Sequence, residues 1–108
     1  PVGEKVVELI LDLVRACRPG EAEAGEAVTA SVAWGPGPRA AQALMLGVRA
    51  RALLTGRLAP SAEDVLALAR PVLSHRMALS FAARARGESL AGLIDGVARE
   101  VTRIEEAA

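Results

Sequence analysis

The strongest candidate for chemistry in this sequence is an arginine at the start of a predicted helix. Arg39 directly follows a Gly-Pro-Gly-Pro run at residues 35–38, and proline is favoured as the first residue of a helix because its missing N–H is not needed there. A cation in the first turn opposes the helix dipole, and no acidic residue stands between Glu26 and Glu63. From the residues alone, Arg39 is either a solvated surface arginine or, with the free N–H groups of the first turn, a receptor of phosphate size. On this evidence we favour the solvated arginine.

A second candidate set contains the single histidine and the single cysteine. Ser74 and His75 could supply a nucleophile and a base, but adjacent residues on a helix point in different directions, and no Asp or Asn is placed to complete a triad. A thiol dyad of His75 with Cys17 has no support beyond the residue types. We expect His75 to be a half-buried structural residue and Cys17 to be a small apolar core residue. No metal site is predicted, because one histidine and one cysteine cannot build a multi-histidine or cysteine-rich centre.

Trp34 and the central arginines have competing interpretations. Trp34 either packs in the core or anchors a partner, and we favour core packing. Arginines recur through the centre of the chain, at Arg49, Arg51, Arg57, Arg70, Arg76, Arg84 and Arg86. They alternate with alanines and lack Asn or Gln companions, which favours a solvated or interface role over a DNA recognition helix. The chain has no GxxxxGK[ST] phosphate loop, and its only lysine is Lys5.

The elements that position these residues follow from composition. The chain has 108 residues, enough for one domain, and its hydrophobic content of 52% includes only 2% aromatic residues. Alanine, leucine and valine dominate, which predicts a mainly α protein. The formal net charge of +0 disfavours binding to nucleic acid or to an anionic membrane. No apolar run approaches the ~18 residues that span a bilayer and no secretory signal opens the chain, so we expect a cytoplasmic protein.

Hydrophobic spacing predicts a small bundle of four to five helices with a short two-stranded β-ribbon. The helices are predicted at residues 2–18 and 38–55, after Ser61 as N-cap, and after Ser89 as N-cap. Pro71 is expected to break or kink the third of these and to leave a short helical piece at 72–75. Period-two alternation predicts strands at 28–34 and 77–81, which would pair with each other.

Several spaced motifs together resemble a known family. The run WGPGPRAAQALMLGVRARALLTGR at 34–57, SAEDV at 61–65 and PVLSHR at 71–76 closely resemble the C-terminal lid domain of MoxR-type AAA+ ATPases. The resemblance covers about residues 5–104, and its motifs occur in the family's order. Two positions depart from the pattern: Gly37 stands where the family often has Ser, and Ser74 stands where it usually has Arg.

The resemblance implies that residues 1–108 are one lid domain of a longer ATPase. An α/β core with the P-loop would precede Pro1, and that core would bind ATP and Mg²⁺. Arg39 aligns with the family's sensor 2 arginine, which contacts the terminal phosphate in the assembled enzyme, so the resemblance reverses the preference for a solvated arginine. Gly37 and Pro38 belong to the same nucleotide site. His75 and Arg76 match the motif and are interpreted as structural.

The resemblance also implies partners. They are the chain's own ATPase core, neighbouring subunits of a ring that is expected to be a hexamer, and a von Willebrand A-type protein. The parent would be a chaperone-like ATPase that matures partner complexes, whereas this chain alone should neither hydrolyse ATP nor bind it tightly. The alternative is a free-standing helical interaction module that uses Trp34 and the alanine-rich faces. A helix-turn-helix DNA binder is disfavoured by the neutral charge, and no nucleic acid or membrane partner is expected.

Overall fold

The structure is a computed structural model that describes residues 2–107. Within them it contains six helices and a two-stranded sheet, which confirms the mainly α prediction with one helix more than expected. In chain order the elements are α1 (Glu4–Ala16), α2 (Glu26–Ser31), β1 (Val32–Trp34), α3 (Arg39–Leu54), α4 (Ala62–Leu73), β2 (Ala78–Leu79), α5 (Phe81–Ala85) and α6 (Leu90–Ala107).

The four long helices form a bundle around one core. α1 and α4 each pack against both α3 and α6, so that α3 and α6 occupy opposite corners. The largest fully buried side chains include Ile10, Leu13, Leu44, Leu73 and Ile94. Burial of each such side chain contributes about 1.5–3 kcal/mol, so this aliphatic core holds the four helices together.

The cap after α3 and the cap before α4 are formed by the residue types that favour them. Beyond α3, Gly56 has a φ of +78°, and its N–H donates to Leu53 O while the N–H of Arg57 donates to Ala52 O. This pair of hydrogen bonds is the Schellman motif, which favours glycine at that position. At α4, Ser61 and Asp64 form the reciprocal capping box.

The predicted ribbon exists, but its strands are shorter than predicted. β1 and β2 pair antiparallel, with Val32 opposite Leu79 and Trp34 opposite Ala78. The segment 26–31, most of which was predicted as strand, is the helix α2. The prediction was wrong there because Val28 and Val32 are four residues apart, a spacing that period-two strands and helices share.

The second predicted strand also ends early. It covers only Ala78–Leu79, and Phe81 begins α5 with its ring exposed. Ser80 accepts a hydrogen bond from the N–H of Ala83 at 3.0 Å. This N-cap starts a helix, and the cap outweighs the alternating pattern that predicted a strand.

Pro71 does not break α4. The helix is continuous through Pro71 to Leu73, and the separate helical piece predicted at 72–75 is absent from the described chain. Pro71 lacks the N–H that would bond Ala67 O, but only two helical residues follow it, so little of the helix lies beyond the disturbed turn. The chain then turns, with the N–H of Arg76 donating to Leu73 O at 2.9 Å.

Candidate functional site

The Gly-Pro-Gly-Pro connector is held against the C-terminal end of α1. A Cβ on Gly35 would lie 2.6 Å from Cys17 O and 2.7 Å from Arg18 Cα, so only glycine fits this approach. Arg18 Nε donates a hydrogen bond to Pro36 O at 2.7 Å, and Pro36 is buried. These contacts fix the position at which α3 begins.

Arg39 is the first residue of α3 and points into solvent. Its side chain is exposed, and it has no hydrogen bond or ion pair with any of residues 2–107. α3 has no side-chain cap and no acidic residue in its first turn. The positive end of the helix dipole and the guanidinium therefore lie together without a neutralising group. Such an arrangement can hold an anion.

Gly37 and Pro38 complete this end of the helix. Pro38 occupies the N-cap position with φ −61° and ψ −28°, already helical. The N–H of Ala40 donates to Gly37 O at 3.1 Å. A Cβ on Gly37 would meet nothing within 4 Å, so the site is open on this side and could accept the serine found in the resembling family.

α3 is apolar on two opposite faces. One face, with Leu44 and Val48, is buried in the bundle. The opposite face, called here the outer face of α3, consists of Arg39, Ala43, Leu46, Ala50, Leu53 and Leu54. Leu46 and Leu53 follow Arg39 at seven-residue steps, which keep nearly the same direction on a helix. Leu46 is 67% exposed and Leu53 is 68% exposed, so an uncovered apolar stripe runs from Arg39 toward the other end of the helix.

The remaining sequence candidates do not join this site. Cys17 is fully buried, and burial raises the pKa of its thiol to about 12, which confirms the prediction of a core residue and leaves no thiol dyad. His75 is exposed, so the prediction of a half-buried histidine was wrong. Arg76 donates from Nη1 to Val72 O at 2.9 Å and closes the end of α4.

The prediction that Trp34 packs in the core was also wrong. Its side chain is 56% exposed. Val32, two residues earlier on the same strand, is buried, and Gly35 is pressed onto the end of α1. Trp34 lies between these two anchored positions, at the edge of a ribbon too short to cover an indole.

A buried ion-pair cluster between α3 and α4 was not predicted from the sequence. Asp64 is fully buried, and its carboxylate accepts hydrogen bonds from Arg57 Nη2 at 2.5 Å and Arg51 Nη1 at 2.6 Å. The N–H of Ser61 also donates to it, at 2.7 Å. Hydrogen bonds from Arg57 lower the pKa of Asp64 well below its usual range, against the opposing effect of burial, and those from Ser61 and Arg51 add to this. The only sequence signal was a capping aspartate that follows two arginines.

Other central arginines also have structural partners. Arg70 pairs with Asp95 of α6, and Arg86 Nε lies 2.7 Å from Glu88 Oε2. Arg70 and Arg86 are exposed, in agreement with the solvated interpretation, and each also pairs with a carboxylate. The interpretation was wrong for Arg51 and Arg57, which neutralise the buried carboxylate of Asp64. Across residues 2–107, no group of three or more His, Cys, Asp or Glu side chains could hold a metal ion.

Comparison with known proteins identifies the class that the bundle and ribbon define. A family model described as AAA lid domain matches residues 24–95, and the chain belongs to this family. A search of curated proteins found no match. In no helix of the described chain is there an apolar stretch long enough to cross a membrane.

One solved structure shows the same fold. It is the crystal structure of a "putative ATPase" from Cytophaga hutchinsonii ATCC 33406, with a TM-score of 0.84 and 30% sequence identity. The match covers 91% of this chain and 30% of that protein. This chain thus spans less than a third of the matched protein, and the expectation of an AAA+ lid domain is confirmed.

Proposed function

We propose that this chain is the lid of a MoxR-type AAA+ ATPase and that Arg39 is its sensor 2 arginine, which contacts the terminal phosphate of ATP. The observation that carries the proposal is the unpaired, exposed guanidinium at the acid-free start of α3. The residues fit a phosphate, because the helix dipole and the arginine both favour negative charge there. The parent would be a cytoplasmic, chaperone-like ATPase that matures partner complexes.

The outer face of α3 supports this assignment. A helix that is apolar on both sides is normally covered on both sides. The apolar stripe begins at Arg39 and reaches Leu53 about 21 Å along the helix axis. An α/β ATPase core seated on this stripe would therefore present its nucleotide at the Arg39 end. Leu46 and Leu53 would bury against the core while Arg39 reaches the phosphate.

In the assembled enzyme, ATP with Mg²⁺ supplies the phosphoryl group, and the core supplies the P-loop. Arg39 neutralises phosphate charge that develops during transfer, the role arginine has in phosphoryl-transfer enzymes. Gly37 and Pro38 hold the first turn of α3 open toward the phosphate. Because Arg39 is rigidly joined to the bundle, loss of the terminal phosphate would release one contact and change the lid angle. The isolated chain would not hydrolyse ATP.

The test is steady-state ATP hydrolysis by the full-length parent with Arg39→Ala, Arg39→Lys and Arg49→Ala. Arg49 is the matched control, an exposed arginine of the same helix that has no partner in the described chain. We expect Arg39→Ala to lower kcat about 100-fold with unfolding free energy changed by no more than about 0.5 kcal/mol. Arg39→Lys should recover part of the loss, and Arg49→Ala should resemble wild type. Unchanged hydrolysis by Arg39→Ala would exclude the sensor role.

Mixed assemblies decide whether Arg39 serves its own subunit or a neighbour in the proposed hexameric ring. Arg39→Ala subunits are mixed with subunits whose P-loop lysine is replaced. If Arg39 acts on the neighbour's nucleotide, the mixture regains activity that neither variant has alone, because intact sites then meet intact arginines. If it acts within one subunit, the mixture stays inactive.

A von Willebrand A-type protein is proposed as an accessory partner.

The exposed indole of Trp34 favours a second candidate function, a helical module that grips a partner without an ATPase core. Under that hypothesis, Trp34→Ala would abolish partner binding while Arg39→Ala would have no effect. If the chain is an ATPase lid, Arg39→Ala should lower ATP hydrolysis by the parent, and Trp34→Ala should not. The gene upstream of Pro1 distinguishes the two directly, since a GxxxxGK[ST] loop is required only by the lid.

A further inference from the structure

A long apolar groove runs along α6, the helix that lies across the bundle from α3. One wall is α6, and the other is formed by residues 23–28 and the end of α1. Its volume is about 660 Å³. The apolar lining comes chiefly from Leu93, Val97, Val101, Ile104, Ala27 and Val28. We call this the α6 groove.

The α6 groove has the length and openness that suit a helix. Its lining on this side runs from Ser89, the residue before α6, to Ile104, which corresponds to about 22 Å or four helical turns. Gly96 lines it, and a Cβ added there would meet no atom within 4 Å. Ile104 lies at its end and is 54% exposed. An apolar stripe of this length in contact with water is a typical seat for the apolar face of a partner helix.

The rim of the α6 groove is acidic. Glu23, Glu26, Glu88 and Glu100 line it. Glu88 and Glu100 pair with Arg86 and Arg103. Glu23 and Glu26, on the wall opposite α6, have no hydrogen bond or ion pair from a side chain of residues 2–107. The rim therefore carries an excess of negative charge, which selects a cationic partner and disfavours an acidic one.

The α6 groove and the outer face of α3 are separate surfaces. α3 and α6 occupy opposite corners of the bundle, with α1 and α4 between them. A core seated on the outer face of α3 would lie across the bundle from the α6 groove. A ligand of this groove is thus independent of the proposed role of Arg39.

We propose that the α6 groove binds an amphipathic helix of a partner protein, with an apolar stripe of about four turns and lysine or arginine on its flanks. The stripe would cover Leu93, Val97 and Ile104. The basic flank would pair with Glu23 and Glu26. The apolar contacts supply most of the affinity, and the carboxylates fix the orientation of the helix and reject acidic sequences.

The test is selection from a displayed library of 18-residue helices against the full chain. Apolar residues are kept at i, i+4, i+7 and i+11, and flanking positions are randomised among Lys, Arg, Glu and Gln. We expect enrichment of Lys and Arg flanks. Enrichment of acidic flanks, or no enrichment above a selection against the Gly96→Gln variant, would overturn the proposal.

Variants then locate the binding of the selected helices. Gly96→Gln fills the groove from an open position without removing a core side chain, and we expect it to weaken binding about tenfold or more. Glu23→Lys with Glu26→Lys should weaken binding several-fold at low salt and less at high salt. Leu54→Asp, on the opposite side of the bundle, is the matched control and should bind as wild type. Equal binding by all variants would place the helix elsewhere and overturn the proposal.

A second copy of this chain is the competing occupant. Sedimentation of the full chain distinguishes it, because self-association abolished by Gly96→Gln would assign the groove to a copy of this protein. ATP hydrolysis by the parent is measured in parallel. It should be unchanged by Gly96→Gln, so failure of helix binding cannot be confused with failure of the sensor assignment at Arg39.

Discussion

Arg18 Nε donates a hydrogen bond to Pro36 O at 2.7 Å, and this contact joins the end of α1 to the segment that leads into Arg39. The arginine stem also lies over Gly35, where the backbone of the connector meets Cys17 and Arg18. The direction of α3 at its first residue is therefore set by α1, some twenty residues earlier in the chain. The position of the candidate phosphate contact depends on this junction.

Arg18→Ala should loosen the junction without unfolding the bundle. The lost hydrogen bond to Pro36 is charge-assisted but partly exposed, so we expect a cost of about 1 kcal/mol in unfolding free energy. The ion pair with Glu21, at 3.9 Å and on the surface, contributes little. Hydrolysis by the parent should fall more than stability does, because Arg39 loses its fixed position. Chemical denaturation and kcat measured on the same variant check this, and an unchanged kcat would contradict it.

Gly35→Ala should lower the stability of the protein, whereas Gly37→Ala should leave it nearly unchanged. A Cβ at Gly35 would meet two backbone atoms, which cannot move aside as a side chain can. We expect a loss of about 1–3 kcal/mol, typical of overpacking. Gly37 has open space, so its substitution should change stability by no more than about 0.5 kcal/mol. Thermal unfolding of the two variants tests the pair, and equal losses would refute the close approach.

Leu46→Asp combined with Leu53→Asp should lower ATP hydrolysis by the parent without unfolding the lid domain. Both side chains lie on the outer face of α3 and are mostly exposed, so the domain's stability should change by less than about 1 kcal/mol. If an ATPase core covers this face, two buried carboxylates would separate lid and core, and hydrolysis should fall at least about tenfold. Leu58→Asp is the control, since Leu58 is exposed but lies beyond α3. Wild-type hydrolysis by the double variant would leave the outer face without a role.

Asp64→Asn should destabilise the domain in a pH-dependent way. Removing one partner of a buried ion pair costs about 3 kcal/mol, near the lower end of the usual range because Arg51 and Arg57 can still reach water. The pKa of Asp64 is lower in the folded protein than in the unfolded chain, where it is about 3.9. The ionised carboxylate therefore stabilises the fold above that pH, and this stabilisation is lost as the pH falls toward the folded pKa. The difference between wild type and Asp64→Asn should be constant above about pH 5 and shrink below about pH 4. Urea denaturation across this range measures it, and a difference independent of pH would contradict the assignment.

Features that depend on neighbouring residues were predictable. The amphipathic spacing of α1 and α6, the Ser61–Asp64 capping box and the glycine after α3 all act within a few residues, and the structure has each of them. The motif around Arg39 was also recognisable, because its prolines and glycines act on the local backbone. The match to the AAA lid domain then confirmed the fold class.

Features that depend on distant residues were not predictable. The exposure of Trp34 and His75 depends on how far the ribbon and the helix ends extend over them. The residue pattern near each position carries no information on that coverage. Asp64 appeared only as a cap, although Arg51 and Arg57 approach it from a different helix and the loop after it.

The sequence by itself determined where the four long helices lie, which of their faces are apolar, and that an arginine without nearby acids opens α3. Those properties arise from side-chain volume, hydrogen-bonding capacity and backbone restrictions within one or two turns. Only the tertiary structure decided which apolar faces are covered. Because α3 and α6 take opposite corners of the bundle, the outer face of α3 beside Arg39 and the acidic-rimmed α6 groove are left open as two separate surfaces.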